Sequence, residues 1–319
     1  MNYTEIMSYV FTILFRVFGF LLVLVVYILI AFVGWVYFKT ILPSKFHQNP
    51  FLLVFEVAFF IWILTAIIIT FTKSAFVRGG AVPYDLLENE EKNEISKEKV
   101  NTDPITTIIN QDNLELPSLS NYTWCSHCNK VKPPRCHHDS ITHQCVLRMD
   151  HFCPWLNNTI GYFNHKFFIL FLIYLFLGCS YLAIITLKPF LIDLNIVSED
   201  NDADGTLVIV FIISISSLAG VGFLSVWQLY LLFTNQTTIE FYINHTLKSI
   251  AKQRGIKFRN IFNIGKKENF KQFFDLHDKY WFAFLWSFGK KEGDGLHFPT
   301  IDTEIDLPII SFEEDNLNI

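Results

Sequence analysis

The chain has 319 residues, 51% of them hydrophobic and 34 of them Phe, with a formal net charge of -5. Without a basic excess to neutralise a phosphate backbone, nucleic-acid binding is excluded as a function. The apolar residues gather into four runs, at about 17–38, 51–71, 167–187 and 207–233, each long enough to cross a ~30 Å hydrocarbon core as a helix. None has the polar face at 3.6-residue spacing that a buried helix of a water-soluble protein presents.

In chain order, residues 1–16 read as a short lead. The first span is too long for a signal sequence and lacks a small-residue cleavage site after it, so it is expected to be retained. A turn between Pro43 and Pro50 makes spans one and two antiparallel neighbours, both within residues 1–83. Glu56 lies near one end of span two; it either snorkels to the interface or marks a functional buried carboxylate. Residues 84–120 are charged and without apolar periodicity, which predicts a flexible linker. Residues 121–166 form a cysteine-rich domain that runs directly into span three. Residues 167–233 hold spans three and four, joined by a short acidic loop that lacks the spacing of a calcium site. Gly178, Cys179 and Ser180, about eleven residues into span three, either leave space for a lipid chain or bring two helices close. Residues 234–299 carry an aromatic run at 280–286, expected to return this tail to the membrane face, and 300–319 read as acidic and disordered.

Lys and Arg set the orientation. Ten lie in 72–166 and eleven after Phe233, against two in 39–50 and one in 188–206. The positive-inside rule therefore places both termini and the cysteine-rich domain in the cytosol of a multi-pass protein of the endomembrane system, whether ER, Golgi, vacuole or plasma membrane. No span carries the repeated polar face of a conduction path, which argues against a channel or transporter.

Five of the six cysteines fall between Cys125 and Cys153. In a reducing cytosolic loop they are metal ligands or nucleophiles before they are disulfides. Cys125-x-x-Cys128 has zinc-knuckle spacing, and His138 with Cys145 can complete a tetrahedral set. His127, Cys136, His137 and His143 compete for the same role on spacing alone. Asp150-His151-Phe152-Cys153 is the candidate catalytic unit. An acyl-transfer nucleophile needs a thiolate, an adjacent imidazole can take its proton, and an acid can orient that imidazole. Residues 151 and 153 share a face only in extended chain, and Pro154 keeps Cys153 out of the helical region.

The whole segment resembles the cysteine-rich domain of the Asp-His-His-Cys protein S-acyltransferases. The resemblance rests on Cys125, Cys128, Lys132-Pro133, Arg135, His137-His138, Cys145, Asp150-His151, Cys153, Trp155, Asn158, Gly161 and Asn164. Thr237-Thr238-Ile239-Glu240 is similar to the family's motif after span four, and Asn260–Phe274 with Gly293-Asp294-Gly295 and Phe298-Pro299 to its C-terminal motif. The resemblance implies an all-α integral membrane protein with four transmembrane helices and a small cytosolic zinc-bound domain. It implies a palmitoyltransferase in which Cys153 takes the acyl chain from acyl-CoA, with His151 as base and Asp150 orienting it. A cysteine of a membrane-associated protein substrate would then receive the chain. The CoA phosphates would need cations, and Lys132, Arg135 and Arg148 lie nearest in sequence.

Two departures stand out. The motif reads Asp-His-Phe-Cys, and of the family's two zinc sets the first maps onto Cys125, Cys128, His138 and Cys145 while the second falls on Asp139, Thr142, Phe152 and Thr159. Phe152 thus replaces a metal ligand rather than the base. The expectation is one structural zinc, a second site exchanged for apolar and hydrogen-bonded packing, and catalysis intact; the alternative is an inactive relative that scaffolds a partner.

Overall fold

Four long helices follow the four apolar runs: α1 (Tyr3–Val36), α2 (Pro50–Phe76), α3 (His165–Asn195) and α4 (Gly205–Phe233). The computed structural model describes residues 3–45, 49–84, 122–195, 205–255, 257–276 and 280–301. Nearly all of the expected linker, most of the acidic loop and all but the start of the C-terminal segment lie outside them. All four helices are long and apolar enough to cross a membrane. Only 17, 22 and 11% of the most apolar windows of α1, α2 and α4 are buried against protein, whereas α3 buries 56%. Three helices thus turn most of their apolar surface outward, as lipid-facing helices do, and α3 is the inner helix, packed on α2 and α4.

The boundaries differ from the sequence expectation at the first helix. It starts at Tyr3, so the lead is part of α1. It leaves the bundle through a π-turn at Tyr37–Ile41, where the buried Tyr37 ring stacks on Phe60 at 3.5 Å. Asn49 then caps α2, its side chain accepting from Phe51 N, with Pro50 at the first helical position. Glu56 does not simply snorkel. Lys45 forms an ion pair with it and Tyr181 Oη donates to it at 2.7 Å, joining α2, α3 and the turn after α1. Close packing accounts for Gly178: a Cβ there would sit 3.0 Å from Ile67 Cδ1 and 3.2 Å from Ile63 Cγ2 of α2.

The cysteine-rich domain consists of three antiparallel hairpins. These are β1 (Thr123–Cys125) with β2 (Lys130–Lys132), β3 (His137–Asp139) with β4 (Gln144–Val146), and β5 (His151–Cys153) with β6 (Asn158–Ile160). Asn129, His143 and Asn157 sit in their turns at φ of 53°, 53° and 47°; Asn tolerates this region better than most residues. Two asparagines fix the third hairpin to the bundle. Asn158 Nδ2 donates to Ser74 O at 3.0 Å and Val77 O at 2.7 Å, and Asn164 Nδ2 donates to Val77 O at 3.0 Å. Carbonyls at the end of α2, which the helix itself leaves without partners, are thereby satisfied.

Beyond α4 come α5 (Thr238–Gln253), α6 (Lys266–Phe274) and a 3-10 turn at Trp281–Trp286. Thr237 and Glu240 form a capping box at the start of α5. Glu240 also receives Arg135 through two hydrogen bonds, 2.6 Å from Nε and 2.8 Å from Nη2. The guanidinium lies against the rings of Phe262 and Phe298, 4.3 and 4.8 Å from their centroids. One buried ion pair therefore ties the cysteine-rich domain, α5 and the C-terminal motif together.

Removing one member of such a pair leaves an uncompensated buried charge. Arg135→Met is expected to destabilise the fold by about 3–5 kcal/mol, read as a lowered thermal midpoint in detergent, whereas Arg135→Met with Glu240→Leu recovers most of it. Equal loss in the single and double variants would show that the pair is not the source.

Candidate active site and metal centre

The β5–β6 register puts His151 opposite Ile160 and Cys153 opposite Asn158, so His151 and Cys153 project from one face of an extended strand. Cys153 is buried at 7% exposure in the apolar cluster that contains Val23 of α1, Phe71 of α2 and Phe168 and Phe171 of α3. His151 Nδ1 meets Asp150 Oδ2 at 2.6 Å, and Cys153 follows on the same face of the strand. With Nδ1 turned to the acid, Nε2 is left for the thiol.

Asp150 is 1% exposed and fully hydrogen-bonded. Thr238 N donates to Oδ1 at 2.8 Å, while Thr238 Oγ1 at 3.1 Å and Gln228 Nε2 at 3.2 Å donate to Oδ2. Burial alone would raise its pKa, but charged and hydrogen-bonding neighbours, His151 and the Thr238 amide among them, hold the carboxyl well below its usual range. Burial works to lower the pKa of His151; the hydrogen bond and charge of Asp150, with Cys153 adding to them, overcome it and raise the ring to about 10.

Sequence reasoning singled out Asp150, His151 and Cys153 but not the groups that surround them. Gln228 Oε1 also accepts from His165 Nε2 at 3.1 Å, and His165 Nδ1 lies 3.2 Å from Arg148 Nη1. The available signal for Gln228 was an amide within an otherwise apolar run, and for Thr238 its place in the Thr-Thr motif.

The expected phosphate-binding cations are placed differently. Lys132, Arg135 and Arg148 are buried at 9, 5 and 6% exposure, so they form no exposed cationic patch. Arg135 is taken by Glu240, and its Nη1 and Arg148 Nη2 donate to Asn235 Oδ1 at 3.2 and 3.4 Å. These guanidiniums hold the domain onto the bundle.

Cys125, Cys128, His138 and Cys145 bring one ligand atom each to within 4.8 Å of one another and could hold a metal ion. The hairpins position them. Cys125 ends β1, Cys128 lies in the following turn, and His138 and Cys145 are direct partners across β3–β4. Cys128 Sγ and Cys145 Sγ are 3.6 Å apart, near the about 3.8 Å edge of a tetrahedron with 2.3 Å zinc–sulfur bonds. Of the competitors, Cys136 is buried nearby and His127 stacks on His138 at 4.7 Å, but neither belongs to this group.

Around the positions of the second set the donors are different. Asp139 Oδ2 accepts from Thr142 Oγ1 at 2.6 Å and from Thr159 Oγ1, and its Oδ1 accepts from Ile141 N at 3.0 Å. Phe152, paired with Thr159 across β5–β6, turns its ring to Phe15 of α1 at 5.8 Å. A carboxylate with two hydroxyls thus joins three of these positions, and an aromatic contact to the first membrane helix takes the fourth.

The profile of the DHHC palmitoyltransferase family matches residues 118–245. Palmitoyltransferase ZDHHC15A of Danio rerio is 33% identical over 291 residues, covering 86% of this chain and 83% of its own. Palmitoyltransferase ZDHHC2 of Rattus norvegicus is 34% identical over 183 residues, 56% of this chain and 46% of its own. Probable protein S-acyltransferase 14 of Arabidopsis thaliana is 32% identical over 231 residues, 70 and 69% of the two chains. The chain spans about half the length of ZDHHC2, and more than four-fifths of ZDHHC15A. It belongs to the DHHC palmitoyltransferase family.

If Asp139 is held by hydroxyls rather than by a metal, Thr159→Val withdraws one donor from a buried carboxylate. The expected cost is about 1–3 kcal/mol in thermal unfolding with metal content unchanged. Loss of a metal equivalent in this variant would place an ion at Asp139 instead.

Proposed function

We propose that this chain is a protein S-acyltransferase that moves a long acyl chain, palmitoyl in the first instance, from acyl-CoA to cysteines of membrane-associated proteins. The observation that carries this reading is the Asp150–His151 hydrogen bond with Cys153 on the same strand face, its thiol buried among apolar side chains of three membrane helices. Cys153 Sγ attacks the thioester carbonyl of the donor with its proton already resting on His151. The ring returns that proton to the departing CoA sulfur, leaving an acyl thioester on Cys153. A substrate thiol, deprotonated by the same imidazole, then takes the chain and restores the free cysteine. Asp150 keeps Nδ1 protonated and stabilises the charged ring throughout. An inactive scaffold would have no need of a buried carboxylate braced by three donors beside a histidine and a thiol.

The cluster of three cysteines and one histidine is proposed to hold a single zinc ion. Four protein ligands leave no open position, so its contribution is structural, fixing the hairpins that precede the nucleophile. The Lys and Arg distribution supports placing this domain and both termini in the cytosol, where acyl-CoA is available. The division into membrane hairpin, cysteine-rich domain, second membrane pair and membrane-associated tail is proposed to follow the boundaries read from the sequence.

Purified protein incubated with radiolabelled palmitoyl-CoA is expected to acquire a hydroxylamine-labile label that Cys153→Ala lacks. A wild-type protein that stays unlabelled under conditions where it retains its metal and fold would refute the enzyme reading.

Asp150→Asn removes the partner that raises His151. A raised pKa means that the protonated ring persists as pH climbs, so the wild-type loading profile should change near pH 10; in the variant that limb moves down toward the ordinary histidine value. Loading at neutral pH should fall by roughly 10²- to 10⁴-fold.

Elemental analysis should return one zinc per chain, and Cys128→Ala should lose both the metal and thermal stability. Two equivalents would require ligands beyond this cluster.

A further inference from the structure

A lipid-shaped feature lies on the outside of the bundle. It is a groove of about 900 Å³ between α3, α4 and α6, lined also by Trp281 and Phe284. Its walls are apolar. Gly222 leaves room for the Phe176 ring, to which a Cβ would approach within 3.2 Å, and Val226 stands 70% exposed along its edge. Its length is set by α4: from Phe233, at the end nearest the cysteine-rich domain, to Gly222 is eleven residues, or about 16 Å. That matches half of a ~30 Å hydrocarbon core, one leaflet. A cytosolic peptide would find this surface already facing lipid.

The mouth of the groove is cationic. Lys266, Lys267 and Lys271 line it from α6, and the single acid beside them, Glu268, is an exposed partner 3.4 Å from Lys271. Lysines at the level of the headgroups attract anionic lipid, and Trp281 is the residue type that favours the same level. Two turns further along α6 the side chains point inward. Phe273 and Phe274 belong to the apolar cluster that contains Cys153, and the Phe273 ring meets the His165 ring edge-on at 5.1 Å.

From this we propose that the groove binds one anionic phospholipid of the leaflet adjoining the cysteine-rich domain. An acyl chain lies between α3 and α4, and the headgroup phosphate rests on Lys266, Lys267 and Lys271. The lipid holds α6, and through Phe273 and Phe274 α6 braces the core around Cys153. The proposal concerns binding and does not depend on acyl transfer, so its test needs no turnover.

The full chain, purified in detergent, would be titrated with dioleoylphosphatidylserine and separately with dioleoylphosphatidylcholine, and retained lipid counted by native mass spectrometry. Wild type is expected to hold phosphatidylserine more tightly. That preference should fall by about fivefold for each lysine neutralised, and by on the order of 100-fold in Lys266→Gln/Lys267→Gln/Lys271→Gln. Val226→Trp, which fills the groove without changing charge, should reduce retention of both lipids in protein that keeps its metal and thermal midpoint. Equal retention of the two lipids by wild type, or an unaltered preference in the triple variant, would overturn the proposal. Displacement of phosphatidylserine by palmitoyl-CoA in proportion to its occupancy would also overturn it, by assigning the groove to the acyl donor.

Discussion

A carboxylate with 1% of its surface in contact with solvent is the group around which this protein is arranged. Asp150 cannot remain ionised there unless the protein replaces the water it has lost, and three separate elements do so. Its own strand supplies His151, the fourth membrane helix supplies Gln228, and the start of the following helix supplies the amide and hydroxyl of Thr238. Gln228 and Thr238 lie 78 and 88 residues from Asp150, so the carboxylate is satisfied only when the cysteine-rich domain is seated on the bundle and α5 has turned back across it. The geometry around His151 and the global assembly therefore depend on the same hydrogen bonds. The neighbouring Arg135–Glu240 pair works in the same direction, since its two charges are stable only together.

Much of this arrangement was legible in the sequence, for identifiable reasons. Four uninterrupted apolar runs have no other stable fate than membrane helices, and the period of two at residues 151 and 153 anticipated the strand that puts both side chains on one face. The knuckle spacing at Cys125 and Cys128 pointed to a group that the fold does gather, because a tight turn leaves two sulfurs little freedom. The surroundings of Arg135 and Arg148 were not legible: their partners, Glu240 and Asn235, lie roughly a hundred residues away and turn them inward. No local pattern encodes such a pairing. The start of α1 was also missed, because the polar residues of its first turns lower the hydropathy without interrupting the helix.

The region around Asp139 shows how a metal-dependent domain can be held by other means. Thiolates bound to an ion and a carboxylate bound to hydroxyls both bring several strands to one point, but only the first depends on an external component. In this chain Asp139, Thr142 and Thr159 bring β3, the turn after it and β6 together, and the ring of Phe152 is free to pack on α1. The exchange changes what lies next to the nucleophile without disturbing Asp150 or His151. It also gives the catalytic hairpin a direct apolar contact with the first membrane helix.

The two asparagines that cap α2 have a consequence for selection. Because Asn158 and Asn164 fasten the β5–β6 hairpin to the end of α2, the height of Cys153 along the bundle is set by hydrogen bonds to a rigid helix and not by a flexible tether. For the transfer proposed above, a reaction centre at one set height would work as a depth gauge. It would need no sequence around a target thiol; a thiol held at the matching height would qualify, and one held a few residues further out on a stiff segment would not.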